Sequence, residues 1–356
     1  MHICILADTI DNQSAGVHFY TKNLIEELLK IDKNNRYSFI HERPNDFFNN
    51  TENYIIKKHK FPGAGTMRKF FLIPKLIRKL KPDIVLEPCH IGPFNLPKSI
   101  KRAVTIHDLT PILFPQFHIK RSTIIHKLLL KRVLKNADLI LTASQNNKKD
   151  IMDYMGSNSK IEVIPLGLSR KITAGGQVQH NSRITQAPYI LYLGTIEPRK
   201  NLNILIDSFL ELKEELKLPH KLVLAGKIGW KAKETVQKAR HPEIILTNHV
   251  DNNTKQQLYK NADLFVYPSL YEGFGLPPME ALSYGTPTIC STGGALKEVY
   301  KNQVSLFNPK DKEKLKQLIK KHLSHRQNGA IKNLPTFKKT AQKTLKALNE
   351  AVQKSS

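Results

Sequence analysis

Residues 266–287 read VYPSLYEGFGLPPMEALSYGTP and place a glycine-rich loop between an apolar run and a helix. The apolar run predicts a buried strand, and Pro277 suits the first turn of a helix, where its missing N–H is not needed. Glycine lets backbone amides approach a ligand closely, and a helix N-terminus favours negative charge. Glu272 and Glu280 bracket this segment, and their carboxylates can accept hydrogen bonds from a hydroxyl-rich ligand. For two glutamates alone, capping and solvating the helix is an equally good interpretation.

The alternation of apolar runs with helical segments extends over the whole 356-residue chain and predicts parallel α/β sheets. Strand candidates occur at residues 3–7, 84–87, 103–107, 139–143, 162–165, 189–193, 222–225, 244–246, 264–267, 288–290 and 305–307. Helix candidates occur at residues 20–29, 123–134, 202–216, 254–262, 277–284, 312–323 and 337–352.

A polar stretch with Gly175 and Gly176 divides this alternation into two similar halves. The predicted organisation is a first domain at residues 1–168, a linker at 169–187, a second domain at 188–335 and a closing helix at 336–356. The closing helix is a candidate to pack back onto the first domain. We therefore expect an α/β protein with two facing Rossmann-like domains, whose ligands bind at the carboxyl ends of the strands.

A pair of cations lies in the second half, in residues 194–202, GTIEPRKNL, where a strand ends and a helix begins. Arg199 offers a planar fork and Lys200 a point charge, and together they could neutralise a diphosphate. In so basic a chain, a solvated helix start is the more ordinary interpretation of the two residues alone.

The first half offers two weaker signals. Residues 103–109, AVTIHDL, end a strand with His107 and Asp108 at its carboxyl edge, a pair that is as often structural as functional. Residues 14–20, SAGVHFY, place Gly16 just before a helix, which by itself indicates an ordinary helix entry.

These segments together resemble one family. Glu272 and Glu280 match, in order and spacing, the E-x7-E signature of the family 4 glycosyltransferases, and residues 266–287 resemble that family nearly throughout. GTIEPRKNL, TIHDL and the segment around Gly16 resemble further motifs of the family, and the resemblance extends with gaps over residues 1–309. It implies the GT-B fold and points to the mannosyltransferase-like members. One position departs from the pattern: many relatives carry an arginine directly after the glycine, where this chain has Thr195.

The resemblance implies a role for each matched residue. Glu272 would contact the transferred sugar and act in catalysis with His107, with Asp108 as a lesser candidate, while Glu280 would bind the ribose hydroxyls. The donor-binding set that it implies is Gly16, Arg199, Lys200, Gly273, Phe274, Gly275, Leu276 and Glu280.

The activity implied is retaining transfer of a hexose, with mannose favoured, to a glycan or lipid-linked acceptor in polysaccharide or lipopolysaccharide biosynthesis. GDP-mannose is the favoured donor, ahead of UDP-sugars, and no other cofactor is expected. We also expect no metal, because the chain contains no Asp-x-Asp and fixed cations can hold the leaving diphosphate instead.

Other enzyme classes lack their signatures here. Residues 7–11, ADTID, stand where a nicotinamide dehydrogenase has GxGxxG, and no P-loop occurs. Cys4, Cys89 and Cys290 are scattered without a metal-binding spacing, which favours small apolar side chains in a reducing compartment.

The charge of the chain is its unusual property. Lysine and arginine number 56 against 30 aspartates and glutamates, a formal charge of +26. This excess favours an anionic partner, unless it only solubilises the surface. Basic and apolar residues mix at 67–81 and 118–135, which suits a lipid headgroup layer, although Pro74 is expected to break the first segment as a helix.

The expected location follows from what the sequence does not contain. It shows neither a secretory leader nor a long apolar run, which predicts a cytoplasmic protein, with peripheral docking at the inner face of the cell membrane left open. A basic nucleic-acid-binding protein, or a glycosyltransferase that modifies DNA, is the alternative.

Overall fold

The computed structural model describes residues 1–12, 15–59, 64–156, 160–169, 186–324 and 334–353. The chain divides into two compact units. Unit 1 contains Met1–Leu113, Lys120–Gly167 and Pro335–Ser356, and unit 2 contains Phe114–Ile119 and Leu168–Leu334. Most of the linker predicted at 169–187 lies outside the described residues.

Unit 1 is built on a seven-stranded parallel sheet. Its strands are β1 (His2–Leu6), β2 (Arg36–His41), β3 (Glu52–Ile55), β4 (Ile84–Glu87), β5 (Lys101–Ile106), β6 (Leu139–Thr142) and β7 (Ile161–Val163). They pair in the order β3-β2-β1-β4-β5-β6-β7. The chain order reverses between β1 and β4, which is the switch point at which Rossmann-like sheets bind ligands.

The helices of unit 1 connect these parallel strands. They are α1 (Asp8–Asn12), α2 (Ala15–Ile31), α3 (Ala64–Met67), α4 (Ile73–Leu80), α5 (Thr110–Leu113), α6 (Lys120–Asn136) and α7 (Gln145–Met155). A short 3-10 turn lies at Asp46–Phe48, and another at Pro115–Phe117 lies in the segment that belongs to unit 2. On the inner face of β5 and β6, Val104, Ile106 and Ile140 pack against Leu130 and Leu134 of α6 in one apolar cluster.

The expectation that Pro74 breaks the first basic segment is wrong. A π-helical turn at Arg68–Leu72 joins α3 to α4, so helical backbone continues past the proline. The Ile73 N–H donates to the Arg68 carbonyl, five residues back. This wider turn relieves the clash that proline causes in a regular helix, and Pro74 sits in the first turn of α4, where its missing N–H is tolerated.

Unit 2 repeats the arrangement with its own parallel sheet. Its strands are β8 (Tyr189–Leu193), β9 (Lys221–Ala225), β10 (Ile244–Asn248), β11 (Leu264–Tyr267), β12 (Thr288–Ser291) and β13 (Ser305–Phe307), paired in the order β10-β9-β8-β11-β12-β13. Its helices are α8 (Leu202–Leu216), α9 (Lys233–Lys238), α10 (Asn252–Asn261), α11 (Leu276–Ser283), α12 (Leu296–Tyr300) and α13 (Lys312–Ser324), with a 3-10 turn at Pro198–Lys200. The predicted α/β class, with two Rossmann-like units on parallel sheets, is confirmed.

The last helix, α14 (Phe337–Gln353), belongs to unit 1 and packs against α2. Phe337 is buried and meets the Phe19 ring edge-on at 5.6 Å, and the Thr340 hydroxyl donates to the Pro165 carbonyl at 2.9 Å. Gly167 lets the chain before α14 come close, because a side chain there would collide with the Thr336 backbone.

Candidate functional site

The switch point of the unit 2 sheet brings two loops together. β8 and β11 are hydrogen-bonded neighbours, with Leu264 opposite Ile190, and their carboxyl ends share one edge because the strands are parallel. The chain leaves β8 into the turn that holds Arg199 and Lys200, and leaves β11 into the loop that holds Glu272. The Leu270 N–H donates to the Arg199 carbonyl at 2.8 Å, which ties the two loops together.

Lys200 and Glu272 form a buried ion pair at this edge. The Lys200 Nζ donates to Glu272 Oε1 at 2.5 Å and to the Tyr267 hydroxyl at 2.8 Å. The Tyr267 hydroxyl in turn donates to the same Glu272 oxygen at 3.1 Å. Both charged side chains are 9% exposed, so water screens the pair weakly.

Arg199 completes the cluster from the same turn. Its Nη1 lies 3.0 Å from Glu272 Oε2 and donates to the Tyr271 carbonyl at 2.7 Å, while its Nη2 donates to Glu197 Oε1 at 2.7 Å. Glu272 therefore has one cation on each carboxylate oxygen. The cluster contains two cations and two carboxylates within direct contact of one another.

The electrostatics of the cluster keep Glu272 ionised. Burial by itself would raise the pKa of Glu272, but Arg199 and Lys200 outweigh it and lower that pKa to about 2. Burial, together with the neighbouring Arg199 charge, lowers the pKa of Lys200. Glu197 behaves oppositely to Glu272: burial raises its pKa, against the opposing charges of Arg199 and Lys200.

Glycine backbone sets the position of Glu272. A parallel bridge joins Glu272 to Gly294, and the Ala295 N–H donates to the Glu272 carbonyl at 2.8 Å. Gly294 has a φ of +61°, and a Cβ there would collide with the Glu272 backbone. Only glycine lets the loop after β12 lie this close to Glu272.

The glycine-rich loop runs directly into α11. Gly273, Phe274 and Gly275 are buried, and Leu276, half-buried, opens the helix. Gly275 is the N-cap residue with a φ of +86°, and its carbonyl accepts from the Tyr300 hydroxyl. The loop is thus fixed by its own unit at the edge where Glu272 lies.

Glu280 lies in a separate polar cluster on α11. The Lys255 Nζ donates to its Oε1 at 2.9 Å, and the Tyr259 hydroxyl donates to its Oε2 at 3.0 Å. Both partners come from α10, so the helix that precedes β11 holds the carboxylate of the helix that follows it. Glu280 is 5% exposed, and Lys255 offsets its charge.

His107 lies at the carboxyl end of β5 in unit 1. Its Nε2 is 2.9 Å from the Pro88 carbonyl, and because a carbonyl only accepts, Nε2 carries the proton and Nδ1 is an acceptor. The backbone N–H of His107 donates to His90 Nε2 at 3.1 Å. Burial lowers the pKa of His107, although Pro88 and Asp108 oppose the shift.

The remaining candidates of unit 1 are less constrained. Asp108 Oδ1 accepts from the Thr110 N–H at 2.9 Å and from the Thr110 hydroxyl at 2.6 Å, which caps the start of α5. Gly16 lies exposed in the first turn of α2, and no described atom lies within 4 Å of a Cβ placed on it. Ser14 of the same motif lies outside the described residues.

The structure therefore brings Arg199, Lys200 and Glu272 into direct contact in unit 2, while Glu280 has its own partners and His107 and Gly16 belong to unit 1. Sequence reasoning missed four residues that hold these side chains: Glu197, Tyr267, Lys255 and Tyr259. Glu197 and Tyr267 had a usable signal, since Glu197 follows the carboxyl end of β8 and Tyr267 is the last residue of β11. The α10 residues had none.

Within the described part of the chain, no group of three or more histidine, cysteine, aspartate or glutamate side chains has a geometry that could hold a metal ion. Among the same residues, no helix is long and apolar enough to cross a membrane.

Two family profiles match the chain in succession. The profile "Glycosyltransferase Family 4" matches residues 14–171, and the profile "Glycosyl transferases group 1" matches residues 177–344. The second match includes the Arg199–Lys200 turn, Glu272 and Glu280.

Two curated mannosyltransferases each align with more than half of the chain. O-antigen chain mannosyltransferase B of Escherichia coli is 33% identical over 232 residues, which are 62% of this chain and 61% of that protein. The serotype-specific mannosyltransferase WbdA of Escherichia coli is 28% identical over 241 residues, 63% of this chain and 29% of that protein. The chain thus aligns with less than two thirds of either relative.

Solved structures share the fold at low identity. HepE (Alr3699) of Anabaena, solved in complex with UDP-glucose, superimposes with a TM-score of 0.71 at 15% identity and covers 99% of each chain. With both profiles matched in order over two Rossmann-like units, the chain belongs to glycosyltransferase family 4, the group 1 glycosyltransferases of the GT-B fold, and resembles its mannosyltransferase members.

Proposed function

We propose that this protein transfers a hexose from a nucleoside-diphosphate sugar to a glycan or lipid-linked acceptor. The observation that carries the proposal is the buried contact of Arg199 and Lys200 with Glu272 at the switch point of the unit 2 sheet. This edge joins fixed cations, which suit a diphosphate, to a fixed carboxylate, which suits sugar hydroxyls. The names of the relatives, which are mannosyltransferases, support the same class of reaction.

The barrier to such a transfer lies in the departure of the nucleoside diphosphate. As the bond from the anomeric carbon to the phosphate oxygen breaks, its electron pair and negative charge move onto the diphosphate. Arg199 and Lys200 are already held at this edge before reaction, so they can stabilise that charge as it develops. We propose on this basis that the transfer requires no metal ion.

Retention at the anomeric carbon is proposed by a front-face route, in which the leaving phosphate takes the acceptor proton. The state of Glu272 supports this route, because a carboxyl whose pKa is lowered to about 2 is a weak base. Its oxygens are held by two cations, so its proposed role is to bind and orient the transferred sugar. The Glu280 carboxylate would bind the ribose hydroxyls beside Lys255.

His107 is proposed to bind the sugar as a neutral imidazole. The Pro88 carbonyl fixes the Nε2 proton, which leaves Nδ1 to accept a hydrogen bond from a sugar hydroxyl. The lowered pKa of His107 keeps the ring uncharged at neutral pH.

GDP-mannose is the proposed donor, ahead of UDP-sugars, and an O-antigen or lipopolysaccharide glycan is the proposed acceptor. The relatives called O-antigen chain mannosyltransferases support mannose as the sugar and this class of acceptor. The Anabaena neighbour bound to UDP-glucose keeps the UDP-sugars as the next donors to test.

A donor screen tests this function. The purified protein is mixed with GDP-mannose, UDP-glucose or UDP-galactose, and donor hydrolysis and thermal unfolding are measured. A bound donor stabilises the fold, so the true donor should raise the unfolding midpoint, and Lys200→Ala should abolish the rise. If no nucleotide sugar shifts the midpoint or is hydrolysed, the proposal is wrong.

Peripheral membrane docking is proposed for the face of α6 in unit 1. Leu128 is 71% exposed and Ile124, one turn earlier, is 55% exposed, while Lys127 and Lys131 beside them are exposed. An exposed apolar row with basic neighbours suits an anionic headgroup layer. The segment at 67–81 adds less positive charge to a membrane-docking surface than its sequence suggests, because Arg68 is buried in an ion pair with Asp8 at 2.5 Å.

Vesicle co-sedimentation separates this surface from the nucleic-acid alternative. Binding should rise with anionic lipid content, fall with salt and weaken in Leu128→Glu, whereas Leu216→Glu, an exposed leucine of unit 2, should bind normally. Duplex DNA binding should be weak and non-specific. Tight DNA binding without vesicle binding would replace the membrane proposal with the nucleic-acid one.

A further inference from the structure

Glu197 is a buried carboxylate to which the proposed transfer gives no role. It is 3% exposed, and its Oε1 accepts from Arg199 at 2.7 Å. Its Oε2 is buried and has no hydrogen-bond partner among the described residues. Buried acceptors are nearly always paired, so an unpaired oxygen beside two cations needs an explanation.

The net charge of the cluster explains the unpaired oxygen of Glu197. Arg199 and Lys200 are balanced by Glu197 and Glu272, so the formal charge of the contact group is zero. A nucleoside diphosphate adds negative charge to this weakly screened edge, where repulsion from two carboxylates would be strong. Protonation of one carboxylate would leave a net positive site for the diphosphate.

The two carboxylates are not held equally. Glu272 has a cation on each oxygen, at 2.5 Å and 3.0 Å, whereas the Glu197 carboxylate pairs, among the described residues, with Arg199 alone. Burial raises the pKa of Glu197, while the pKa of Glu272 is lowered to about 2 because the two cations outweigh its burial. Glu197 is therefore the carboxylate that accepts a proton more readily.

We propose that Glu197 is a proton-linked positioning residue: it holds Arg199 as a carboxylate, and it takes up a proton from solvent on Oε2 when a nucleoside diphosphate binds. The proton turns the unpaired acceptor into a hydroxyl that can donate. It also weakens the hold of Glu197 on Arg199, so that the guanidinium can pair with phosphate. The inference rests on the proposed diphosphate site and adds a regulation by pH.

The surroundings of Glu197 limit which other groups could take the proton. Arg199 and Lys200 face it from its own turn, Glu272 faces it from the loop after β11, and the Tyr192 hydroxyl faces it from β8. The loop after β9 packs on its Cβ through Gly229, which has no side chain to titrate. Arg199 is always charged. Arg199 and Lys200 lower the pKa of Glu272, so it takes up a proton less readily, and burial keeps Tyr192 neutral. Lys200 is therefore the remaining rival among these groups.

The test is calorimetry of GDP and UDP binding at about pH 8, where the terminal phosphate, with a pKa of about 6, is ionised. Titrations in HEPES and in Tris, which differ in ionisation enthalpy, measure the protons taken up. Wild type should show uptake, and its affinity should fall as pH rises, by up to about tenfold per pH unit. In Glu197→Gln the uptake should vanish and the affinity should become nearly independent of pH.

Glu243→Gln is the matched control, because Glu243 is likewise a glutamate of unit 2 paired with cations, Lys213 at 2.7 Å and Lys221 at 3.1 Å, but lies outside this cluster. It should behave as wild type. Uptake that persists in Glu197→Gln would assign the proton to Lys200 and overturn the inference. Wild-type binding without uptake over the pH series would also overturn it, even if Glu197→Gln does not fold. If neither nucleotide binds, the proposed function itself fails.

Discussion

Replacement of Lys200 by alanine tests the cluster through both stability and binding. The change removes the 2.5 Å ion pair with Glu272 and the hydrogen bond to Tyr267. Glu272 stays buried with Arg199 on its other oxygen at 3.0 Å. In the variant, the buried Glu272 carboxylate therefore keeps one of the two cations that balance its charge.

The magnitude follows from the pKa of Glu272. A glutamate at about 4.3 when unfolded and about 2 when folded contributes about 3 kcal/mol to stability at neutral pH. Breaking a buried pair typically costs about 3–5 kcal/mol, and the retained Arg199 reduces this, so we expect a loss of about 2–4 kcal/mol. The folded pKa lies below the unfolded one, so this contribution is lost as pH falls through about 4 towards 2. The difference between Lys200→Ala and wild type should shrink over the same range.

The assay is urea unfolding at neutral and acidic pH, with calorimetry of GDP binding. A lost charged hydrogen bond to phosphate is worth about 1.5–3 kcal/mol, so the Kd for GDP should rise about 10- to 100-fold. Lys213→Ala is the matched control, since Lys213 and Glu243 pair at 2.7 Å but are 21% and 26% exposed. Its loss should stay below about 1 kcal/mol. A Lys200→Ala protein as stable as this control, with wild-type GDP affinity, would refute the reasoning and place the phosphate site elsewhere.

Three further outcomes are expected. Glu272→Gln and Glu280→Gln should each lower turnover by roughly two to three orders of magnitude in a steady-state transfer assay, and normal kinetics in Glu280→Gln would remove its assignment. Chelator should leave transfer intact in the same assay, whereas strict metal dependence would contradict the cation-based mechanism. Burial lowers the pKa of His90 and of His107, so the unfolded chain binds more protons below about pH 6.5. The free energy of unfolding from urea titrations should fall there, by up to about 1.4 kcal/mol per pH unit for each histidine, and a flat profile would show that the folded protein protonates both freely.

The sequence by itself determined the family, the α/β class and most of the strands near the candidate site. Apolar runs such as 264–267 form buried strands because folding removes their side chains from water. The glycine and proline residues around Glu272 indicate a loop that leads into a helix. The E-x7-E motif can be recognised in the sequence because Glu272 and Glu280 lie in one loop and the helix that follows it.

Two strands were missed because their polar residues are paired only in the folded chain. β2 buries Ser38 and His41, whose partners are the His2 ring at 2.8 Å, Asp11 at 3.3 Å and Asn53 at 3.2 Å. β3 is an edge strand with half-buried side chains. Neither has the apolar pattern by which a strand is recognised.

Tertiary structure alone decided which charges meet. Lys200 and Glu272 are 72 positions apart, and they touch because parallel pairing of β8 with β11 places both following loops at one edge. Arg68 shows the same point in unit 1: its sequence reads as a surface cation, yet it is buried against Asp8, 60 positions away. The sequence pattern indicates whether a side chain tends to be buried. The partner of a buried charge depends instead on which strands pair in the sheet, because pairing brings together residues that are far apart in the sequence.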